Sequence, residues 1–414
     1  MSKSNAGKKR MISAMDNLTE KHNSIVEGVI WKQLLLFFFP ILLGTFFQQL
    51  YNTVDAAVVG KFVGKEALAA VGGATGTLIN LFVGFFVGLS SGATVIISQF
   101  YGARKEKPTE DSVHTAVAMG IAGGLLLTVI GMLLAPTMLK MMDTPDDVLE
   151  PAVTYLRIYF AGMVFNLLYN IGSSILRAIG DSRRPLYFLI FSAVTNTVLD
   201  LLFVAVFHMG VAGVAIATIL AQFASAALVL AVLTRTKGDY RIEWRAVRLD
   251  KNMLGSICAL GLPSAVQLAV TAFSNIFVQS YINRFGADCM AGWTSYNKID
   301  SFALLPITTI SLAVTTFVGQ NLGAGDHARA KKGTRTALLL SEAVTVVVLL
   351  PLMLLSPQLI SLFNQEPEVL RYGTLFIRYI SPFYLVICIN QIISGSLRGA
   401  GDSRSCMLIM LGSF

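Results

Sequence analysis

The sequence predicts an all-α membrane protein made of two six-helix bundles that are related as a parallel repeat. Of its 414 residues, 54% are hydrophobic and 14% are charged, and the mean hydropathy is +0.66. So much apolar surface requires lipid as the solvent. The chain also contains ten apolar runs of membrane-spanning length, and part of its sequence recurs after 221 residues. These observations exclude a soluble globular domain.

The apolar runs give the order of the spans. A helix needs about 20 residues to cross the hydrocarbon core, and an eleventh run begins near residue 404. Two bundles of six require twelve spans, so we expect the last one and a half to lie beyond this sequence. The first run is too long for a cleavable signal peptide. The ten complete spans are expected near residues 34–58, 67–100, 114–136, 152–176, 185–207, 211–234, 253–283, 288–321, 334–355 and 370–396.

The basic residues indicate the orientation of the spans. Most of the 32 Lys and Arg residues fall in the N-terminal tail and in alternate loops, whereas acids gather in the other loops. The positive-inside rule therefore places the N-terminus in the cytoplasm of a multi-pass protein in the cell (inner) membrane. Because the positive charge is spread over short loops, nucleic-acid binding is disfavoured. We expect a basic cytoplasmic tail (1–31), an N-lobe with spans 1–6 (32–234), a cytoplasmic linker loop (235–251) and a C-lobe with spans 7–11 (252–414).

The repeat relates the two lobes. Residues 176–183 read LRAIGDSR and residues 397–404 read LRGAGDSR, a shift of 221. The same shift relates Gln99 to Gln320 and Gly102 to Gly323. Six spans separate one copy from the next, and because six is even both lobes enter the membrane from the same side. Such a parallel repeat has its axis along the membrane normal, with a binding site expected between the lobes.

Acidic residues inside the spans are the most informative positions, because a carboxylate at a helix centre costs about 2.5–3.5 kcal/mol. Asp55 lies late in span 1, and Asp200 lies in span 5 with Asn196 one turn earlier on the same face. Two such acids and an amide suit a bound cation or a shared proton, since repulsion between neighbouring carboxylates favours keeping a proton on one of them. The alternatives are that Asp55 is solvated at the outer interface and that Asp200 is a structural acid bonded to Asn196.

Motifs for other chemistry are few. The sequence contains no GxxxxGK[ST] or HExxH motif, which argues against ATP hydrolysis and a zinc hydrolase. Its four cysteines show no CxxC spacing and fit the role of small hydrophobic residues. The Gly-Asp-Ser turns after spans 4 and 10 fit helix stops and caps. We therefore expect neither enzymatic activity nor a cofactor.

Three motifs together resemble the multidrug and toxic compound extrusion (MATE) family, and the likeness runs from about Trp31 to the end. They are TVDAAVVG at 53–60, VGQNLGAGD at 318–326 and the repeated LRxxGDSR turn. The resemblance implies a V-shaped, alternating-access antiporter that expels cationic or amphipathic compounds in exchange for protons or sodium ions. It adds Thr218 in span 6 to the cation-coupling residues Asp55, Asn196 and Asp200, and it suggests Pro40 as a hinge in span 1.

The C-lobe departs from part of that family. Some members have acids in spans 7 and 10, and here neither span contains one, so coupling through the N-lobe is favoured. Asp300 in span 8 is either paired with Lys298 or faces the solute, and for Glu342 we expect snorkelling or a helix contact. Polar residues in the spans that either line the solute cavity or bond helices together are Gln48, Tyr51, Gln267, Asp300, Asn390 and Gln391.

Other functions remain open at this point. A flippase of lipid-linked precursors with a related fold would need a strongly basic cavity, and the spans contain few cations. An intramembrane lipid-modifying enzyme would need clustered acids, and a receptor or scaffold would leave the paired acids unexplained. We expect a monomer in the bilayer with a small-molecule solute as its partner and no metal other than Na⁺ at the coupling residues.

Overall fold

Every regular element that the computed structural model describes, over residues 24–142 and 144–413, is a helix. Most of the expected N-terminal tail, residues 1–23, lies outside the described residues. The helices are α1 (Ser24–Glu27), α2 (Ile30–Phe62), α3 (Lys65–Gly72), α4 (Ala74–Gly102), α5 (Glu106–Met141), α6 (Asp146–Ala161), α7 (Met163–Ala178), α8 (Arg183–Asp200) with a π-helical extension (Leu201–Val206), α9 (Gly210–Arg235), α10 (Lys251–Ile282), α11 (Ala287–Ala303), α12 (Leu305–Gly323), α13 (His327–Leu354), α14 (Ser356–Ser361), α15 (Pro367–Ile380), α16 (Tyr384–Ala400) and α17 (Ser403–Ser413).

The ten expected spans are confirmed within this part of the chain. Nine helices or helix runs are long and apolar enough to cross a membrane, and α6 with α7 makes a tenth that bends by 49°. The bend falls at Gly162, where a Cβ would lie 2.5 Å from Ile219 Cγ1, so only glycine fits. The corresponding break between α15 and α16 ends at Phe383, which is 221 residues further on. The repeat is therefore visible in the positions of these breaks as well as in the sequence.

The two repeated turns have the geometry that their sequence predicts. Gly180 and Gly401 have φ values of +94° and +90°, which favour glycine. Asp181 Oδ1 accepts hydrogen bonds from the backbone nitrogens of the two arginines that begin α8, each at 3.1 Å. Asp402 Oδ1 accepts from the backbone nitrogen of Ser405 at 3.0 Å, and the Ser405 side chain and backbone hold the pKa of Asp402 below its usual value. Both turns cap the next helix.

Helix α2 contributes to the cores of both lobes. In its first half Leu34, Phe38 and Ile41 pack with buried C-lobe residues, whereas Val58 and Val59 in its second half pack with the N-lobe. Pro40 lies inside the helix in the half that packs on the C-lobe. A bend in α2 would therefore change how the lobes sit against each other.

Small residues bring the lobes together along α4 and α10. A Cβ on Gly88 would lie 2.5 Å from Ala265 Cα, and one on Gly92 would lie 2.6 Å from Gly261 N. The string GLSSG at 88–92 matches the GxSxG pattern of a hydrolase nucleophile elbow. That elbow requires a strand-to-helix turn, but Ser90 lies inside α4 and donates to Phe86 O at 2.8 Å. The string is a helix-packing motif.

Several loops meet at one end of the molecule, which we call the basic end because these loops carry most of the arginine and lysine. The 236–250 loop is held there by Tyr240, whose ring centroid lies 6.3 Å from that of Tyr101. His114 Nε2 accepts a hydrogen bond from Glu243 N at 2.9 Å. His114 is itself buried inside α5. Its role is to anchor the loop.

Candidate functional site

Asp55 of α2 and Asp200 of α8 lie side by side in the N-lobe. Asp55 is 7% exposed and Asp200 is fully buried, and their carboxyl groups are within hydrogen-bonding range of each other. Asp55 Oδ1 and both Asp200 oxygens receive no hydrogen bond from another described residue. No ion pair with either acid occurs in the described part of the chain. The pair therefore needs a proton or a cation from outside the protein to offset its charge.

The backbone changes from α-helix to π-helix at Asp200. Helix α8 ends at this residue, and Leu201–Val206 continues as a π-helix. Single π turns inside α-helices are uncommon and often occur at functional sites, because the extra residue shifts the side chains that follow onto another face. Val204 in this segment is buried in the N-lobe core. The π turn thus begins directly after Asp200, and the segment that it forms packs on the N-lobe core through Val204.

Asn196 and Thr218 complete the predicted set. Asn196 is 1% exposed, and neither Nδ2 nor Oδ1 of its amide has a hydrogen-bond partner among the described residues. The alternative of an Asp200 tied to Asn196 is therefore not what the structure has, and Asp55 is buried rather than solvated. Thr218 is buried, and its Oγ1 donates to Val214 O at 3.0 Å. Its oxygen lone pairs remain available to a ligand.

A group of tyrosines surrounds the pair. Tyr51 lies one turn before Asp55 on α2. Tyr155 and Tyr159 of α6 are buried, with ring centroids 6.2 Å apart. Sequence reasoning placed Tyr51 in a solute cavity and missed Tyr155 and Tyr159. Their four-residue spacing on one helix face was the available signal.

Gln222 extends this group. It lies one turn after Thr218 on α9, and its Nε2 donates to the Tyr159 hydroxyl at 3.4 Å. Its Oε1 is buried without a partner. Sequence reasoning missed this residue too, although a glutamine in an apolar span is costly unless it is bonded. The site therefore consists of two acids with amides, a threonine and phenols around them.

The chemistry of these donors suits a proton or a small hard cation. One proton between the carboxyl groups removes half of the charge and supplies the missing donor. The carboxylate oxygens, Asn196 Oδ1 and Thr218 Oγ1 are also the kind of hard oxygen ligands that alkali ions take. No group of three His, Cys, Asp or Glu side chains placed to hold a metal ion occurs in the described ranges.

The other predicted polar residues do not join it. Gln48 is exposed on α2. Ser394 Oγ donates to Asn390 Oδ1 at 3.1 Å, one turn along the same helix. The backbone carbonyl of Gln267 accepts from the Thr271 hydroxyl one turn on in the same helix at 3.0 Å. The backbone carbonyl of Gln391 accepts from the Ser311 hydroxyl at 2.6 Å, which joins α16 to α12. The structure does not bring any of the four to the acid pair.

Asp300 has a site of its own in the C-lobe. Its Oδ1 accepts from the Tyr296 hydroxyl at 2.9 Å and also from the Tyr384 hydroxyl. The structure has no ion pair between Asp300 and Lys298, although both are described. Glu342 Oε1 is buried without a partner. Of the two expectations for Asp300, pairing with Lys298 is therefore wrong. For Glu342, the buried oxygen contradicts snorkelling and leaves the helix contact as the expectation that stands.

Known proteins resemble this chain over most of its length. The MatE family model matches residues 40–202 and 263–414. The Bacillus subtilis protein named "Probable multidrug resistance protein YoeA" is 30% identical over 379 residues, which are 90% of this chain and 82% of that protein. "Probable multidrug resistance protein YpnP" of the same organism is 30% identical over 395 residues, with coverage of 95% and 88%.

Solved structures agree on the fold. A crystal structure of a MATE protein in complex with MaD3S superposes with a TM-score of 0.88 at 23% identity, covering 94% of this chain and 87% of that one. An outward-facing multidrug resistance MATE transporter gives the same TM-score at 22% identity, with the same coverage. At these identities the likeness shows the fold, while the family follows from the sequence matches. The chain is therefore a multi-pass membrane transporter, not an enzyme, and it belongs to the MatE family of multidrug efflux transporters.

Proposed function

We propose that this transporter is a secondary antiporter that exports organic cations or amphipathic drugs in exchange for H⁺ or Na⁺ at the Asp55–Asp200 pair. The observation that carries the proposal is the burial of two adjacent acids without any basic partner among the described residues. Such a pair is costly when both acids are ionised and empty, because burial removes the water that would solvate them. The pair is therefore stable only with a proton or cation bound. When the site opens to water, an empty pair takes up a proton or cation from solution.

Binding at the pair can be linked to the shape of the transporter through α2. Asp55 lies fifteen residues after Pro40, about 22 Å along a helix. The segment around Pro40 packs on the C-lobe, whereas the segment around Asp55 packs on the N-lobe. Proline removes one helical hydrogen bond and permits bending. We therefore assign Pro40 the role of a hinge that relates loading of the acid pair to the angle between the lobes.

The energy available to such an exchange is sufficient. One elementary charge that crosses 100 mV releases about 2.3 kcal/mol, so about 150 mV sustains a solute gradient of about 300-fold at one charge per cycle. A single acid pair is enough for this stoichiometry. In the proposed orientation the basic end faces the cytoplasm of the cell, as the positive-inside rule favours.

Asp300 is our candidate for the solute-facing acid. It is only partly buried, it belongs to the C-lobe, and two tyrosine hydroxyls hold its carboxylate in place. An acid next to aromatic rings attracts organic cations by charge and by cation–π contact. The solute would then bind in the C-lobe and the coupling ion in the N-lobe. Because one chain contains both sites, we propose that the transporter works as a monomer.

The test is ethidium efflux from everted membrane vesicles under either a proton gradient or a sodium gradient. We expect one of the two gradients to drive efflux in the wild type, and Asp200→Asn to abolish the response. Asp288→Asn is the matched control, because it makes the same change at an exposed acid at the start of α11 in the C-lobe, and it should leave the response intact. Wild-type vesicles that ignore both gradients would contradict antiport and favour a flippase of lipid-linked precursors.

A further inference from the structure

The ends of α4 and α12 meet at the basic end in a reciprocal contact between the lobes. A Cβ on Gly102 would lie 2.1 Å from Gln320 O, and a Cβ on Gly323 would lie 2.0 Å from Gln99 O. Each glycine thus packs in close contact with the backbone of the glutamine on the other helix. Because the repeat relates Gln99 to Gln320 and Gly102 to Gly323, the two contacts are pseudo-twofold copies of one another.

The glutamine side chains cross between the lobes in the same reciprocal manner. Gln99 Nε2 of the N-lobe donates to Gly399 O of the C-lobe at 3.0 Å. Gln320 Nε2 of the C-lobe donates to Ala178 O of the N-lobe at 2.6 Å. Ala178 and Gly399 are again 221 residues apart, and each lies in the last turn of its helix. Two hydrogen bonds from side-chain amides therefore join the lobes, and we call this pair of bonds the glutamine latch.

A second connection at the same end has no counterpart in the repeat. Residues 24–28, which we call the strap, precede span 1 and contact both lobes. The buried side chain of Ile25 lies against the N-lobe turn, where a Cβ on Gly180 would be 2.7 Å from Ile25 Cδ1. On the C-lobe side, Arg329 of α13 donates to Ile25 O at 3.3 Å and 3.0 Å and also to Gly28 O.

Further contacts extend the strap on both sides. Glu27 forms an exposed ion pair of 3.5 Å with Arg104, just beyond the end of α4. The guanidinium of Arg329 lies 5.5 Å from the centroid of the Phe317 ring on α12. Arg329 is therefore oriented by the C-lobe while it binds backbone carbonyls of the strap. This arrangement fastens the N-terminal segment across the seam that the glutamine latch closes.

We propose that the strap locks the basic end closed. Before this end opens, the hydrogen bonds from Arg329 to the strap carbonyls and the two hydrogen bonds of the glutamine latch must break. The proposal requires a transporter that opens at each end in turn, and it is independent of the coupling ion. The two bonds of the latch are related by the repeat, so each lobe contributes one of them. The strap makes opening depend on a segment outside the repeat, so the basic end can be regulated through the N-terminal residues.

The experiment measures opening of the seam in the purified full chain without any gradient. Ser98 is fully buried in the seam, where a Cβ on Gly319 would lie 2.2 Å from its Oγ. The rate at which a water-soluble maleimide alkylates Ser98→Cys therefore reports opening. Ser173→Cys, buried in the N-lobe away from the seam, reports general loosening. The chain without either reporter gives the background from its native cysteines.

Arg329→Ala should raise the alkylation rate of Ser98→Cys at least about threefold, because it removes several hydrogen bonds, and Ile25→Ala should act in the same direction. The matched control is Arg335→Ala, an exposed arginine on the same helix, which should leave the rate unchanged. Gln99→Leu should raise it as well. The proposal is overturned if Arg329→Ala and Ile25→Ala give the rate of Arg335→Ala, or if Ser173→Cys is accelerated equally. Because no transport is measured, this failure is distinct from failure of antiport.

Discussion

Replacement of Gly102 by alanine tests the close contact between the lobes most simply. The added Cβ would lie 2.1 Å from Gln320 O and 2.7 Å from Gln320 Cα, whereas ordinary contact begins at 3.4 Å. The two helices must therefore separate by about 1 Å at this point. Overpacking of this kind costs about 1–3 kcal/mol in a closed interface. An open basic end has no such overlap, so the substitution shifts the protein towards the open state.

Gly255→Ala is the control for the change of residue type. Gly255 lies in α10, and a Cβ there meets nothing within 4 Å. Alanine in a helix interior is favoured over glycine by about 1 kcal/mol, so the melting temperature of this variant should be unchanged or slightly raised. For Gly102→Ala we expect a lower melting temperature in detergent and faster alkylation of Ser98→Cys. A Gly102→Ala protein with the melting temperature and alkylation rate of Gly255→Ala would refute a contact as close as this one.

Three further substitutions probe other parts of the structure. Tyr384→Phe removes a hydrogen bond to the Asp300 carboxylate and should lower stability by about 1–3 kcal/mol, measured as thermal unfolding in detergent. His114→Ala removes the acceptor for Glu243 N, so we expect faster proteolysis of the 236–250 loop; an unchanged cleavage rate would contradict the anchoring role. Asp181→Ala removes the cap of α8 and should cost about 1 kcal/mol in the same unfolding assay.

The sequence was sufficient for the spans and for the central pair of acids. Spans are set by hydropathy over about 20 residues, which is a local property of the chain. Asp55 and Asp200 stand out because carboxylates in spans are rare, and the structure places them together. Nothing local, however, indicates that α8 changes to a π-helix at Asp200. Val204 in the π-helical segment is buried in the N-lobe core, and this contact with other helices is not a local property of the sequence.

The contacts between helices were harder to foresee. The repeat identified Gln99 with Gln320 as equivalent positions, but equivalence does not say how near they lie to the pseudo-twofold axis. Only residues close to that axis can contact each other reciprocally, and the distance is fixed by the packing of whole helices. The same holds for Tyr296 and Tyr384, which come from different spans and meet at one carboxylate. In the sequence, these glutamines and tyrosines look like ordinary residues of apolar helices, with nothing to mark the contacts that they make.

The strap illustrates a second limit of sequence reasoning. Residues 1–31 were expected to form a basic tail, and the part that matters here is the short apolar stretch at its end. Ile25 is 5% exposed because the N-lobe turn and the C-lobe enclose it. A single isoleucine before a span has no periodicity that would predict burial. Its role became apparent only from the position of Arg329.

Ion movement coupled to solute movement is the most direct test of antiport at the acid pair. Proteoliposomes containing the full chain would receive ethidium on one side without any imposed ion gradient, and internal pH and sodium would be followed by fluorescent dyes. We predict that ethidium entry drives H⁺ or Na⁺ in the opposite direction in the wild type, and that Asp200→Asn loses this ion movement. Ethidium entry without movement of either ion in the wild type would contradict coupling through Asp55 and Asp200.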